Sequence, residues 1–275
     1  MSTQPTRAPA VEPRPRFADL LVSEWIKLWS LRSTYWVIGL GTLTMIGLNI
    51  NATIADYADW PSYTADRRAN FDPLQDAFGH SPALLLMLAA GSIGAIAITS
   101  EYASGVIRNT FIAVPARRSV MTAKVIVVAL VMLAAGTVIA TSSFAITQAI
   151  LSGRHTGWSI THPVAPRALA VSALLAPVCA LVGMGIGALI RHTAITIVAV
   201  IVGLDLLPQF FNSQRHPWVT DISHAMPIQA WETLVSPSSN SGPNPEAITE
   251  SWIVLALWAL AAAIVAVIAV HHRDV

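Results

Sequence analysis

Six nearly unbroken apolar stretches, at about 35–54, 82–99, 125–150, 168–190, 194–207 and 252–270, alternate with polar segments along the chain. About 20 helical residues at ~1.5 Å rise cover a hydrocarbon core of roughly 30 Å. The pattern therefore predicts six membrane-spanning helices. The fifth stretch is short for a crossing, and Asp205 and Pro208 interrupt its end. Ahead of the first span, residues 17–33 follow a helical period. Asp19, Ser23, Lys27 and Ser30 form a polar edge, and Phe17, Leu20, Leu21, Trp25, Leu28 and Leu31 spread around the other side. Such a helix is expected to lie along the membrane surface, with its tryptophans at headgroup level and Lys27 and Arg32 in water. Glu24 is the exception because it falls inside the apolar arc. Two readings stay open for it: a partly solvated pair with Lys27, or a buried link to a partner or to the segment between spans two and three.

That segment, 101–124, reads EYASGVIRNTFIAVPARRSVMTAK. Val106, Ile107 and Phe111 predict a short helix, Pro115 ends it, and a new helix starts near Ser119. A helix, a break and a second helix form an elbow whose backbone groups and cations cannot lie in hydrocarbon. Span two is rich in small residues, with Gly91, Gly94 and Ala95 among them, which predicts close helix contact in the interior or at a dimer interface. The Gly183, Gly185 and Gly187 run in span four has no preceding strand and reads as helix packing rather than as a nucleotide loop. Thr141, Ser142, Ser143, Thr147 and Gln148 at the end of span three either face a cavity or serve helix packing. The five aspartates of 55–80 follow no calcium-loop spacing and read as a solvated acidic loop. Between spans five and six, 222–235 is too short and mixed to cross, and predicts one or two short helices re-entering the outer leaflet.

Composition agrees with this pattern. An apolar content of 54%, only 11% charged residues and a mean hydropathy of +0.60 point to lipid as solvent. A net charge of +1 with scattered basic residues offers no nucleic-acid stripe. The single cysteine, Cys179, lies in an apolar run and reads as a buried side chain. Residues 1–16 are rich in proline and arginine and lack a signal-like apolar core, so they read as a disordered cytoplasmic tail. Arginine and lysine gather on one side. The tail, surface helix, elbow, Arg191 and Arg273 carry eleven, against Arg67, Arg68, Arg154, Arg167 and Arg215 on the other. This bias predicts both termini and the elbow in the cytoplasm.

The sequence contains no G-x-x-x-x-G-K-[ST], H-E-x-x-H or G-x-S-x-G motif. No catalytic or metal-binding set is expected. His271 with His272 reads as a headgroup-facing terminus, and Asp205 as either a functional acid or a hydrated one near the interface.

Three stretches in this order, SEWIKLWSLRSTYW at 23–36, the elbow at 101–124 and GALIRHTAITI followed by LLP within 187–208, resemble the type-two permeases of ATP-binding-cassette exporters, especially actinobacterial ones. The resemblance implies an all-α polytopic membrane protein. It would comprise six transmembrane helices, an N-terminal amphipathic surface helix and short outer re-entrant helices between spans five and six. Residues 17–275 would form one permease domain. It further implies a coupling role toward a separate ATPase for Glu101, Gly105, Arg108, Pro115, Arg117, Arg118 and Lys124, with Glu24, Lys27 and Arg32 on the connecting helix. A second permease copy or paralogue is implied as partner, with Gly91, Gly94, Ala95 and Asp205 as dimer or path-lining candidates. The setting would be the inner (plasma) membrane. No cofactor would bind this chain, because ATP and magnesium would sit in the partner ATPase. Two other classes fit the composition: a membrane anchor or assembly factor working with an ATPase, and an intramembrane enzyme.

Overall fold

A computed structural model describes residues 16–30, 32–113, 116–211, 217–236 and 245–269. The tail before Arg16, Pro115, His271, His272 and Arg273 lie outside the described residues, and so do the side chains of Arg32 and Arg108. Among the described residues every regular element is a helix. Helix α1 spans Phe17–Ser30, α2 Arg32–Asp59, α3 Ala65–Ala69, α4 Pro73–Ala77, α5 His80–Ser104, α6 Val106–Ala113 and α7 Arg117–Ser152. Beyond it come α8 Ala165–Ile190, α9 Thr193–Ile201, α10 Leu207–Phe210, α11 Pro217–His224, α12 Pro227–Val235 and α13 Pro245–Ala269.

Six segments are long and apolar enough to cross a membrane: Thr34–Ser62, Pro73–Ser104, Arg117–Ser152, Ala165–Ile190, Thr193–Phe210 and Pro245–Ala269. The chain is an all-α polytopic membrane protein, with one span at each expected place. The helices outrun the apolar stretches because hydrogen bonding continues where the side chains have already turned polar. Span five shows this best. A π-helical turn at Val202–Leu206 carries the helix through to Phe210, although Asp205 and Pro208 predicted its end. The wider turn leaves room for the ring of Pro208, which would otherwise press on a carbonyl of the preceding turn.

Span four, α8, is the axis of the bundle and packs against α5, α7 and α13. Glycine makes that approach possible. A Cβ added to Gly94 would stand 1.8 Å from the Ala180 carbonyl oxygen, and one on Gly183 would stand 1.9 Å from that of Gly91. Helix backbones in contact at these points exclude any side chain. Gly91, Gly94 and Ala95 are thus buried against span four of their own chain, and the face they present is already filled.

At the end of the bundle far from α1, the segment 55–80 departs from the expected solvated loop. Thr64 and Asp72 cap α3 and α4 with their side chains. Leu74, Ala77 and Phe78 enter the core, and Asp76 is 5% exposed beside them. The acid is drawn in because its apolar neighbours are, and Gln148 of span three holds the segment down. The Gln148 amide donates to Pro73 O at 2.9 Å and accepts from Trp158 N at 2.7 Å. Of the polar end of span three, Ser143, Thr147 and Gln148 are buried and pack, whereas Thr141 is exposed. Replacing Gln148 with leucine strands two buried backbone groups and is expected to cost about 2 kcal/mol. The thermal midpoint of the purified protein, compared with that of Gln148→Glu, checks this.

Between spans five and six lie the two short helices α11 and α12. Trp231 Nε1 donates to Ser172 Oγ at 3.1 Å, and Arg167 Nε and Nη2 donate to Leu234 O and Ser236 O at 2.8 and 3.0 Å. The guanidinium caps the carbonyl end of α12 and seats it on span four.

Candidate functional site

The polar and charged groups of interest meet at the α1 end of the bundle, where sequence segments 74 to 100 residues apart come together. Helix α5 stops at Ser104 because Gly105 adopts a left-handed conformation, φ 71°, with its N–H bonded to Tyr102 O. A residue with a Cβ is strained there, so this glycine sets the angle at which α6 leaves span two. Ile107 of α6 turns inward at 2% exposure, and Ile112 turns outward at 81%. Span three restarts at Arg117, two residues before the expected Ser119.

Beneath α6, a second apolar cluster gathers Leu20 of α1, Ile98 of α5, Ile107, Val120, Met121 and Ala123 at the start of α7, and Ala188 of α8. It is separate from the main core and joins the elbow to four helices. Thr193 at the start of span five donates to Thr99 Oγ1 of span two at 3.0 Å. A fifth helix is thereby tied to the same end.

On this apolar floor sit two acids and two bases. Lys124 of α7 donates to Glu24 of α1, and to Glu101 of α5 at 2.8 Å. Lys27 donates to Glu24 Oε1 at 2.6 Å and stands 3.5 Å from Glu101 Oε1. Glu24 and Lys124 are almost wholly enclosed, Glu101 nearly so, and Lys27 is one-third exposed. The quartet is neutral as a whole, which is the condition for holding charges out of water. Burial by itself would lower the Lys27 ammonium. The Glu24 hydrogen bond and the charge of Glu101 outweigh it and hold the group above its ordinary value of 10.5. A raised base contributes fully below its ordinary value and is lost only as pH rises through the raised one, so Lys27 keeps its share throughout neutral pH.

The structure thus brings together Glu24, Lys27, Glu101 and Lys124 and sets Gly105 at the turn above them. It holds Arg117 half-buried and Arg118 exposed on the first turn of α7. Both readings of Glu24 meet in one contact, since it pairs with Lys27 and is also the buried link to the elbow. Lys27, expected in water, is instead about two-thirds covered and held by the two acids. Lys124 is enclosed within the chain, with its ammonium spent on Glu24 and Glu101. Asp205 is apart from this group, on the π-helical turn of span five, and accepts from Gln209 Nε2 at 2.9 Å.

Sequence reading did not single out Arg191 and Tyr102. Arg191 closes α8 in a left-handed conformation, φ 60°, and its guanidinium lies 4.8 Å from the Tyr102 ring centroid, next to Glu101. A cation over an aromatic face is worth about 0.5–2 kcal/mol. The one signal for it was a lone arginine in a tight turn between two spans.

These groups hold elements together. Among the described residues, no three His, Cys, Asp or Glu side chains are placed to bind a metal ion. Compared with known families, residues 20–204 match the model described as "ABC-2 family transporter protein". A comparison with curated proteins found no match.

Proposed function

Because the chain belongs to the ABC-2 family of transporter proteins, matched over residues 20–204, and is a transmembrane permease component, we propose that it is the permease subunit of an ATP-driven exporter, coupled to a separate ATPase through its elbow. The observation that carries this reading is the ion quartet over its own apolar cluster. An elbow joined in this way to α1 and to spans two, three and four passes on a push as one body. In this reading ATP and magnesium bind the ATPase, whose closure moves α6 and the start of α7. Ile112 and Arg118 offer an apolar contact and a cation to an acidic groove of that partner. Both termini lie in the cytoplasm and the spans in the plasma membrane, as the bias of arginine and lysine supports. Spans one, five and six leave apolar side chains uncovered, among them Leu43, Val198 and Leu260, which leaves room for a second permease copy.

Reversing charge at both Arg117 and Arg118 is expected to cut the ATPase recovered with the tagged permease about tenfold, equivalent to about 1.4 kcal/mol. The level of permease in the membrane stays unchanged, because Lys27, Arg32 and Arg191 still fix orientation. Undiminished recovery removes the docking role from this pair. An anchor or assembly factor would keep the ATPase yet move no substrate across reconstituted vesicles.

A further inference from the structure

At the end of the bundle far from α1, helix α4 packs against both α2 and α7. Asp76 of α4 is 5% exposed, and its Oδ2 is enclosed without an amide, hydroxyl or cation to bond. A carboxylate held in that way is costly. The group within hydrogen-bond reach of it is a second carboxyl, Asp56 on the last turn of α2. Two ionised carboxylates in contact repel each other, whereas one proton between them makes a short charge-assisted bond from acid to carboxylate.

The surroundings supply no other remedy. Among the described residues no lysine, arginine or histidine forms an ion pair with Asp56 or Asp76. Tyr63 donates to Asp56 Oδ1 at 2.6 Å, and Arg67 stops at that phenol, donating from Nη2 to Tyr63 Oη at 3.1 Å. The bond to Asp56 pushes the Tyr63 hydroxyl up to about 12, so it stays a donor. Asp72, which accepts from Leu74 N through Oδ1 at 3.0 Å, adds a further negative charge beside Asp76. Burial holds the Asp72 carboxyl above its ordinary value of 3.8, and nearby His162 pulls it the other way. Span three presents the neutral Gln148 to α4. Asp56 itself is partly exposed and gives water access to the pair.

We propose that Asp56 and Asp76 form a proton-binding site, in which one proton shared by the two carboxyls clasps α4 to span one. Loss of that proton sets like charges against each other where Leu74, Ala77 and Phe78 enter the core. The folded chain thus holds one proton more than the unfolded chain above the ordinary carboxylate range. Stability is therefore highest at acid pH and falls as pH rises until the shared proton leaves. This goes beyond the exporter reading and stands on the fold alone.

The test follows the thermal midpoint of the full chain in phosphatidylcholine nanodiscs from about pH 5 to pH 8. One proton is a factor of about ten in the folding equilibrium per pH unit, so wild type is expected to fall about 2–4 °C per unit more steeply than Asp76→Asn. The asparagine amide gives Asp56 a permanent donor and needs no proton. Asp56→Asn does the same from the other partner and serves if the first variant is not monodisperse. Difference infrared spectra are expected to show a protonated carboxyl C=O band above the ordinary carboxylate range, shifted in D2O and absent from Asp76→Asn. Equal pH slopes in wild type and both variants, or absence of that band, overturns the site. A slope that survives Asp76→Asn and disappears with Asp72→Asn moves the proton off this pair and overturns it too. Recovery of the wild-type midpoint at the alkaline end by added calcium puts a metal cation between the acids and overturns the proton as ligand.

Discussion

Replacing Lys124 with methionine is expected to destabilise the protein by about 3–5 kcal/mol, the usual cost of removing one partner from an enclosed ion pair. Methionine fills nearly the same volume, so the loss is electrostatic. Glu24, 3% exposed, and Glu101 are left to share Lys27, which is itself partly in water. Adding Glu24→Gln to Lys124→Met is expected to restore part of the loss, because it removes the charge that was stranded. Thermal midpoints of the two single variants and the double variant, followed by size-exclusion fluorescence in detergent, give the coupling between the two sites. A loss no larger than that of the exposed Arg118→Met, within about 0.5 kcal/mol, would show that the quartet contributes little.

Gly94→Val is expected to have a larger effect still and to prevent recovery of folded protein. The first carbon of any side chain at that position would lie 1.8 Å from the Ala180 carbonyl oxygen and 2.6 Å from its carbon. Backbone cannot move aside as a flexible side chain does, so spans two and four must separate along their length. Overpacking of even a compliant core costs about 1–3 kcal/mol. Gly183→Val meets Gly91 in the same way. Gly39→Ala and Gly47→Ala face open space. Both are expected to be neutral or to stabilise by up to about 1 kcal/mol through helix propensity alone. Yields of monodisperse protein for the four variants check the contrast. Equal yields would contradict the close approach of spans two and four.

Much of the fold was legible because membrane helices carry their own signal: apolar length fixes existence, and basic residues at the ends suggest orientation. Glu24 was legible as an anomaly, since an acid inside an apolar arc must be explained by something that covers it. What covers it was not legible. Lys124 lies 100 positions away, and nothing in local periodicity names the partner of a charge. The same limit applies to Gln148 and Asp76, whose burial depends on α4 folding back on span three, a long-range contact that no local pattern announces. Small residues in span two announced close contact but not the identity of the contact. Gly94 could have faced a second copy as readily as span four, and only the packing around Ala180 decides it. The π-helical turn before Pro208 was hidden for a different reason. Sequence marks a proline as a break, whereas one widened turn lets the helix continue past it.

The central claim, that the elbow and the quartet beneath it couple this permease to an ATPase, is tested most directly by isolating the tagged chain from its native membrane in mild detergent and measuring the stoichiometry of what comes with it. The account predicts one P-loop ATPase subunit per permease, with recovery cut about tenfold when Arg117 and Arg118 are both reversed in charge. Reproducible recovery of the intact permease with no ATPase, from membranes in which assembled complexes survive, would contradict it.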